Sequence, residues 1–256
     1  MMGAGIIAVG QWRPGQVRVK FDPEEHIGRD PKVEALIEEA WAQAQSRGGL
    51  LFPGPLYRLA AYDELDHRLL LTVGPTDYRE YLGTNRRRHD VERVMGDFEG
   101  YLANPLAVCS VVRTSDQRLV FGRRGPDVEN AGKWHVIGGH VDREGDGENI
   151  DVFHAMEKEL CEEMGLEPAK IVDMVCLGLA AALDTAKPEL LFASKVAVTH
   201  QEVVKDREHT EFAFVPDRYE SLREFTRARR DEWVGIGRAC LEVYSHGRFG
   251  RPLWGE

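Results

Sequence analysis

Two adjacent glycines followed by an acidic helix constrain this chain more than any other feature of its sequence. Gly138 and Gly139 predict a tight turn. The predicted helix after them carries acidic residues at i, i+3 and i+4, namely Glu159, Glu162 and Glu163. This spacing places three carboxylates on one helical face, where they repel one another unless a divalent cation joins them. Because Mg2+ prefers carboxylate, water and phosphate oxygens, the pattern predicts a magnesium site that holds a diphosphate.

Length and composition set the broad class of the chain. Its 256 residues suffice for one or two domains, and 43% hydrophobic with 30% charged residues is typical of a globular protein in water. No apolar run approaches the about 18 residues that span a bilayer, and the N-terminus lacks the basic start of a secretory signal. The four cysteines show no Cys-x-x-Cys spacing, so neither a zinc site nor a redox pair is indicated. We expect a reduced, cytoplasmic protein without a membrane partner.

The net charge of -10 argues against general binding to nucleic acid or to anionic membranes. An anionic substrate would therefore need a local patch of positive charge or a metal ion. The run of Arg86, Arg87 and Arg88 is one candidate patch. We nevertheless expect this run to be a solvated turn, because charge runs are most often simply exposed.

The pattern of elements divides the chain near residue 100. Residues 1–100 are predicted to form a small α+β domain, with strands at 16–21, 56–62 and 67–73, a helix that Asp30 begins and Gly48 ends, and a short helix at 77–82. Residues 101–256 are predicted to form a hairpin at 106–113 and 118–122, a strand at 133–137, the acidic helix, strands at 172–183, 190–198 and 211–215, and helices at 217–226 and 231–244. Asn149 or Asp151 can cap the acidic helix, and Gly165 ends it. This order favours the α/β class, with a mixed sheet covered by helices.

Residues 138–166 resemble the Nudix box, whose pattern is Gly-x5-Glu-x7-Arg-Glu-U-x-Glu-Glu-x-Gly-U, where U is aliphatic. The second half of the pattern is matched by Glu159, Leu160, Glu162, Glu163, Gly165 and Leu166. Lys158 stands where Arg is usual, and Ile137 replaces the Pro that often precedes the glycines. Five extra residues lie between Gly139 and Lys158, so either Glu144 or Glu148 would supply the first Glu of the box.

Most of residues 50–200 resembles one group of that family, the UDP-glucose/UDP-galactose diphosphatases of animals. The resemblance rests on Leu-Phe at 51–52, Asp-Tyr-Arg-Glu-Tyr-Leu-Gly-Thr-Asn at 77–85, Tyr-Leu-Ala-Asn-Pro-Leu at 101–106, Leu-Val-Phe-Gly-Arg-Arg at 119–124 and Gly-Gly-His at 138–140. It implies a Nudix-type α/β/α sandwich with a mixed sheet, preceded by a smaller α+β domain that would recognise uridine. It also implies hydrolysis of a UDP-sugar to UMP and a sugar 1-phosphate, with Mg2+ or Mn2+ as cofactor.

The resemblance assigns the metal site to four residues of the box: Gly138, Glu159, Glu162 and Glu163. Glu159 and Glu163 would be the main ligands, and the carbonyl of Gly138 would assist them. Glu189 would bind a second metal or accept the proton of water, and Glu159 is the other candidate base. Glu208 and Glu211 compete with Glu189 for its role.

The implied substrate-binding residues come from both parts of the chain: Phe52, Tyr78, Arg124 and Asp142. An Arg fork such as that of Arg124 matches phosphate oxygens in a bidentate way. Phe52 and Tyr78 would offer aromatic faces to uracil, although core packing would explain Phe52 nearly as well. His135 and His140 flank the glycines, which favours contact with the substrate over chemistry.

Two other functions fit the same motifs. The first is hydrolysis of another nucleoside diphosphate derivative, such as ADP-ribose, a dinucleotide or a coenzyme A. The second is a nucleotide-binding module without catalysis, as some Nudix folds are. Such modules usually lose the carboxylates, whereas this chain keeps all three. We therefore expect an enzyme whose partner is a small nucleotide sugar.

Overall fold

The computed structural model describes residues 4–46, 52–143 and 150–254. Its N-terminal elements are β1 (Ala4–Trp12), β2 (Val17–Phe21), α1 (Pro31–Ser46), β3 (Pro55–Leu65), β4 (Arg68–Asp77), α2 (Tyr78–Gly83) and α3 (Arg88–Met95). The later elements are β5 (Ala107–Arg113), β6 (Arg118–Arg124), β7 (Trp134–His135), β8 (Ile137–His140), α4 (Val152–Met164), β9 (Ile171–Ala182), β10 (Pro188–Val196), β11 (His209–Pro216), α5 (Tyr219–Ala228) and α6 (Gly235–Phe249).

Three of the N-terminal strands form a small sheet in the order β2-β4-β3, in which β2 runs parallel and β3 antiparallel to β4. The helix α1 packs against α2 and α3 through a buried stripe that includes Val33, Leu36 and Ile37. Asp77 caps α2, because its side chain accepts a hydrogen bond from the backbone N–H of Glu80 at 2.7 Å. The predicted strands and helices of this part are confirmed, except that the predicted helix end at Gly48 lies outside the described residues.

The other eight strands of the described residues form a large sheet in the order β1-β9-β10-β5-β6-β11, with β8 beside β5 and β7 beside β6. The β10–β5 pair is parallel and the rest are antiparallel, so the sheet is mixed as predicted. The sequence does not predict β1, whose glycines and alanines give weak periodicity. Because β1 pairs with β9, residues 4–12 belong to the large sheet although they precede residue 100.

Helices cover both faces of the large sheet, as an α/β/α sandwich requires. Alternate side chains of β5 divide the two cores, since Val108 and Val112 face one side and Cys109 and Val111 face the other. The first side packs on α4 and on the small sheet, which therefore shares its core with the large one. The second side packs on α5 and α6.

The segment before the paired glycines forms two short strands instead of the single predicted one. β5 and β6 pair with each other at their hairpin end. Farther along, the chain fills the gap between them, because β7 pairs with β6 and β8 pairs with β5. This arrangement places Gly138 opposite Cys109 and Gly139 opposite Val108, in the middle of the large sheet.

The acidic helix α4 has the predicted ends. Asp151 caps it by accepting hydrogen bonds from two backbone N–H groups of the first turn, at 2.9 and 3.3 Å. The alternative cap, Asn149, lies outside the described residues. Gly165 ends the helix in the left-handed conformation, with φ of 62°. One stripe of the helix is buried in the core and includes Met156, Leu160 and Met164.

The two C-terminal helices begin later than predicted. α5 begins at Tyr219, and α6 begins at Gly235 instead of residue 231. Residues 230–232 form a separate short turn, and Trp233 is extended beside Trp134, which excludes it from the helix. None of the helices in the described part of the chain combines the length and apolarity that a membrane crossing needs.

Candidate active site

A cleft of about 300 Å³ opens at the glycine turn. Its lining comes from α2, the end of β6, residues 127–130, β7, β8, the β9–β10 turn and the start of β10. The cleft therefore joins elements from the N-terminal part with elements of the large sheet. Six residues of the sequence-based prediction line it: Tyr78, Arg124, His135, Gly138, His140 and Glu189.

The two main acidic residues of α4 lie directly against the glycines. The backbone N–H of Gly138 donates a hydrogen bond to Oε2 of Glu163 at 3.2 Å. A side-chain carbon at Gly139 would lie 2.5 Å from Oε1 of Glu159, and one at Gly138 would overlap the carbonyl oxygen of Val108. A side chain at Gly138 is therefore excluded by backbone, whereas one at Gly139 would force the Glu159 carboxylate to move, and this close approach brings the backbone of the turn next to the carboxylates.

The carboxyl groups of this pair hold their protons unusually tightly. Burial raises the pKa of Glu159 to about 8, and the charges of Glu162, Asp142 and Glu208 act in the same direction. Burial also raises the pKa of Glu163 well above its ordinary value, reinforced by Glu159 and opposed by Arg124 and by the Gly138 hydrogen bond. A divalent cation between the two carboxyl groups would offset the cost of burying their charges and their mutual repulsion. The donor set therefore fits Mg2+.

The third acidic residue of the predicted metal site is placed differently. Glu162 is exposed on α4, although it lies close enough to raise the pKa of Glu159. Within residues 4–46, 52–143 and 150–254, no three His, Cys, Asp or Glu side chains stand as a preformed metal cluster. The structure therefore brings Glu159 and Glu163 to the glycine turn and leaves Glu162 at its periphery. The candidates for the first box glutamate, Glu144 and Glu148, lie outside the described residues.

The charged side chains that line the cleft are unequal in number. The cationic ones are Arg86, Arg124 and Lys187, whereas the acidic ones are Asp127, Glu129, Asp184, Glu189 and Glu208. Glu129 contacts both arginines: its carboxylate lies 3.2 Å from Nη1 of Arg86, and its carbonyl accepts from Nε of Arg124 at 2.6 Å. With this excess of acidic groups, a polyanionic substrate would bind strongly only together with a metal cation.

Aromatic rings and two histidines stand beside the glycines. The ring of His140 meets those of Tyr78 and Tyr81 edge to face, with centroid distances of 6.2 and 5.6 Å. Nε2 of His140 and Nδ1 of His135 have no hydrogen-bond partner within the described ranges. Burial, together with the charges of Arg124 and Lys187, holds the pKa of both histidines well below its usual value. Both rings are therefore neutral near pH 7 and can each donate and accept a hydrogen bond.

Two predicted substrate contacts lie outside this cleft. The Phe52 side chain is 73% exposed and does not line the cavity. Asp142 lines a smaller adjoining cleft and pairs with Lys158 at 2.9 Å. That smaller cleft is also lined by Glu159 and His140, and His140 lines both cavities. Asp142 is therefore near the acidic pair, whereas Phe52 is separate from it.

The structure discriminates between the three later glutamates that were candidates for one role. Glu189 is buried at the start of β10, with Oε1 3.9 Å from Nε2 of His135. Glu189 and Glu208 both line the cleft. Glu211 instead pairs with Arg123 at 3.1 Å, away from the cleft. The first two remain candidates for a second acidic group of the site.

The interpretation of residues 86–88 as a solvated turn holds for Arg86, which is exposed, but it misses the contacts that all three arginines make. Arg86 lines the cleft, and Arg87 contacts carboxylates of Glu39 and Asp90 at 3.1 and 3.0 Å. Nη1 of Arg88 donates to the carbonyl of Leu183 at 2.7 Å. Glu39 and Leu183 lie on distant segments, so charge patterning alone does not reveal these contacts, whereas Asp90 is a local partner three residues after Arg87. The sequence reasoning also missed Tyr81, Glu129 and Lys187, although Tyr81 belongs to the string at 77–85 that carried the family resemblance.

Comparison with known proteins identifies the family of the chain. The NUDIX domain family model matches residues 103–234. The uridine diphosphate glucose pyrophosphatase NUDT22 of Mus musculus is 28% identical over 214 residues, which cover 73% of this chain and 70% of the mouse protein. The protein of the same name from Bos taurus is 30% identical over 191 residues, which cover 64% of this chain and 66% of the bovine protein. A NUDIX hydrolase structure from Nitrosomonas europaea is 20% identical with a TM-score of 0.41, over 56% of this chain and 89% of that chain. Because the family model spans about half of its residues, the chain belongs to the Nudix family of hydrolases.

Proposed function

We propose that this chain hydrolyses the diphosphate of a UDP-sugar, UDP-glucose or UDP-galactose, to UMP and a sugar 1-phosphate, with Mg2+ or Mn2+ as cofactor. The observation that carries the proposal is the position of two carboxyls, Glu159 and Glu163, directly against the glycines that line the cleft. The names of the similar mouse and bovine proteins support UDP-glucose as the substrate.

The metal would be held by Glu159 and Glu163, with Glu162 and the carbonyl of Gly138 as further oxygen donors. A divalent cation at this place supplies positive charge for the diphosphate oxygens and makes nearby water more acidic. The need for such charge follows from the lining of the cleft, in which acidic side chains outnumber cationic ones. The raised pKa values of Glu159 and Glu163 also favour a cation, because positive charge between the two carboxyls would offset their repulsion and promote their ionisation near pH 7.

The residues of the cleft divide into two groups by their chemistry. Arg124 and Arg86 provide guanidinium groups that match phosphate oxygens. Tyr78 and Tyr81 come from α2, in the N-terminal part. The half-buried ring of Tyr78 offers an apolar face to a nucleoside, whereas Tyr81 is buried beside it and its hydroxyl donates to the carboxylate of Glu129 at 3.0 Å. We propose that residues 1–100 bind the uridine end of the substrate in this way, whereas residues of the large sheet bind the diphosphate. Phe52, exposed on the N-terminal side, remains a proposed uridine contact.

In the hydrolysis, water attacks one phosphorus atom while the bond from that atom to the bridging oxygen breaks. A carboxylate of the site accepts the proton of the water, and the bridging oxygen leaves with the other phosphate. Glu189 is the better candidate for the acceptor, since it lines the main cleft, whereas Glu159 lines the smaller one. Neutral His135 and His140 can donate hydrogen bonds to substrate oxygens.

A substrate panel tests the proposal. The purified chain with Mg2+ is given UDP-glucose, UDP-galactose, ADP-ribose, a dinucleoside polyphosphate and coenzyme A, and the released phosphomonoesters are identified by phosphorus NMR. We expect the two UDP-sugars to have the highest kcat/KM and to yield UMP. Faster turnover of ADP-ribose, the dinucleotide or coenzyme A would assign the chain to that substrate instead. Binding of UDP-glucose without turnover at any Mg2+ or Mn2+ concentration would indicate a non-catalytic module.

A further inference from the structure

The turn between β9 and β10 contributes a wall of the cleft. It is closed by two backbone hydrogen bonds, from the N–H of Ala186 to the carbonyl of Ala182 at 2.8 Å and from the N–H of Ala182 to the carbonyl of Lys187 at 3.0 Å. Its residues Asp184, Thr185 and Lys187 line the cleft beside Glu189. The position of this turn therefore decides which side chains a bound substrate meets on that wall.

Two side chains of the N-terminal part hold this turn from outside. Nδ2 of Asn85 donates to the carbonyl of Thr185 at 2.8 Å, and Nη1 of Arg88 donates to the carbonyl of Leu183 at 2.7 Å. The turn is thus fixed at two carbonyls by residues about 100 positions earlier in the chain. Both residues belong to the stretch 84–88 at the end of α2, next to the tyrosines of the cleft.

Asn85 is itself immobilised. It is fully buried, and its side-chain amide also donates to Oδ1 of Asn104 at 3.0 Å. Its Oδ1 accepts from the backbone N–H of Asn104 at 2.8 Å. Both ends of the amide are therefore engaged, and the residue connects α2, the segment that enters β5 and the β9–β10 turn.

Lys187 lies in this turn, and its side chain brings a positive charge to the wall of the cleft. Its side chain is 17% exposed, and Nζ lies 3.5 Å from Oε2 of Glu189. In the part of the chain that the structure describes, its ammonium makes this ion pair but no hydrogen bond. An ammonium group carries three donors, so a lysine withdrawn from water in this way has donors left for a ligand.

We propose that Lys187 is a substrate-binding residue that contacts the diphosphate together with Arg124, and that Asn85 and Arg88 are positioning residues that hold Lys187 in place through the β9–β10 turn. The inference rests on the proposed function in so far as the ligand is a nucleoside diphosphate. It goes beyond that proposal because it assigns a third phosphate-binding cation, after Arg124 and Arg86, and the contact through which the N-terminal part positions it. The ligand chemistry follows from the site, because a flexible ammonium beside a guanidinium suits two linked phosphates.

Binding of UDP and of uridine, measured by calorimetry with Mg2+ present, tests Lys187 directly. We expect Lys187→Gln to weaken UDP binding about tenfold and to leave uridine binding unchanged, because the lost contact is to phosphate. Lys187→Arg should restore most of the affinity for UDP. Lys195→Gln is the matched control, since Lys195 lies on β10, the strand that follows Lys187, pairs with Asp173 and is outside the cleft. Unchanged UDP binding by Lys187→Gln would overturn the assignment.

A double-mutant cycle tests the positioning residues. Asn85→Asp keeps the shape of the side chain but removes both N–H donors, so the carbonyl of Thr185 loses its partner. We expect this variant to weaken UDP binding about tenfold, and Lys187→Gln to add less than about twofold in its background. A purely structural role would instead lower the melting temperature and weaken uridine and UDP binding equally. If Asn85→Asp does not fold, Arg88→Met removes the contact with Leu183 in the same cycle. Additive effects of either variant with Lys187→Gln would overturn the positioning role.

The outcomes separate this inference from the proposed function. If UDP-glucose is not hydrolysed but Lys187→Gln weakens UDP binding, the proposed reaction fails and the assignment of Lys187 stands. If UDP-glucose is hydrolysed and Lys187→Gln changes neither KM nor UDP binding, the reaction stands and the assignment fails.

Discussion

The backbone N–H of Gly138 donates a hydrogen bond to Oε2 of Glu163 over 3.2 Å, which joins the middle of the large sheet to α4. The bond fixes a carboxyl group in surroundings that otherwise oppose its charge, since burial and Glu159 both raise its pKa. Proteins seldom keep two such acids side by side without a functional reason, because the arrangement costs stability. The Gly138–Glu163 contact is therefore the best point at which to test the site.

Glu163→Gln removes the charge of this acid but keeps its shape and an oxygen that can accept from Gly138. We expect turnover of UDP-glucose to fall by at least about a thousandfold, because the oxygen donors of the cation site are reduced. The melting temperature of the variant without added metal should be equal to or higher than that of the parent chain, because the repulsion with Glu159 disappears. Steady-state kinetics and thermal unfolding measure the two effects.

Glu157→Gln is the control for this variant. Glu157 lies on the same helix and faces His154 at 3.3 Å instead of the glycines. Its replacement should leave turnover within about twofold of the parent, because surface ion pairs contribute little. Activity retained by Glu163→Gln would remove the α4 carboxylate from the mechanism.

The two glycines are expected to respond differently to alanine. Gly138→Ala would press Cβ against the carbonyl oxygen of Val108, which belongs to β5 and cannot move without disturbing the sheet. We expect a loss of about 3 kcal/mol in the free energy of unfolding.

An alanine side chain at Gly139 would instead meet the end of the Glu159 side chain, which can turn away. We expect Gly139→Ala to retain stability within about 1.5 kcal/mol and to lose about a hundredfold in kcat, because a ligand is displaced.

Urea unfolding and kinetics on both glycine variants distinguish these outcomes. Gly247→Ala in α6 serves as a reference, since an added Cβ there has nothing within 4 Å. Alanine at that helical position should raise stability by about 0.5 kcal/mol. We infer that Gly138 is needed for close packing in the sheet and Gly139 for the position of the Glu159 carboxylate. Equal loss of stability in Gly138→Ala and Gly139→Ala would contradict this inference.

Stability should depend on pH in a way set by the acidic pair. A carboxyl whose pKa is higher in the folded than in the unfolded chain binds more protons when folded, so its contribution is present at low pH and lost as pH rises. For Glu159 the loss extends from the ordinary value of 4.5 to about 8, and Glu163 acts in the same direction. After chelation of metals, we therefore expect the melting temperature to fall across this range.

Added Mg2+ should reverse this effect, because cation binding favours the ionised carboxylates. The rise in melting temperature should be larger near pH 8 than near pH 5, where protons compete with the metal. Glu163→Gln should reduce both the pH dependence and the response to Mg2+. A melting temperature that does not change with pH in the chelated parent chain would exclude the raised pKa values.

The features that sequence reasoning predicted correctly have local signals. The capped ends of α4 at Asp151 and Gly165 and the β5–β6 hairpin are each encoded within a few residues. The acidic spacing on α4 likewise predicted that Glu159 and Glu163 share a helical face, and both lie against the glycines. Their role as metal ligands stays a prediction.

The features that it missed depend on distant partners. β1 is stabilised by pairing with β9, which lies more than 150 residues later, and its own sequence is weakly patterned. Arg86 and Lys187 line the same cleft although they are about 100 residues apart, and Asn85 connects the end of α2 with the β9–β10 turn. The split between β7 and β8 arises from the change of neighbour from β6 to β5, which no local pattern records.

A last prediction concerns the stability of the sheet far from the cleft. The carboxylate of Asp217 is 0% exposed and contacts Arg113 at 3.3 Å, Arg248 at 3.2 Å and the hydroxyl of Tyr244 at 2.8 Å. Asp217→Ala leaves the half-buried Arg113 without its carboxylate, so we expect a loss of about 3–5 kcal/mol in the free energy of unfolding. Glu220→Ala is the matched control, because Glu220 is exposed and pairs with Arg251 at 3.5 Å, and it should cost less than about 1 kcal/mol. Both variants should keep the KM for UDP-glucose below their melting temperatures. A changed KM in Asp217→Ala would mean that this network acts on the cleft as well as on stability.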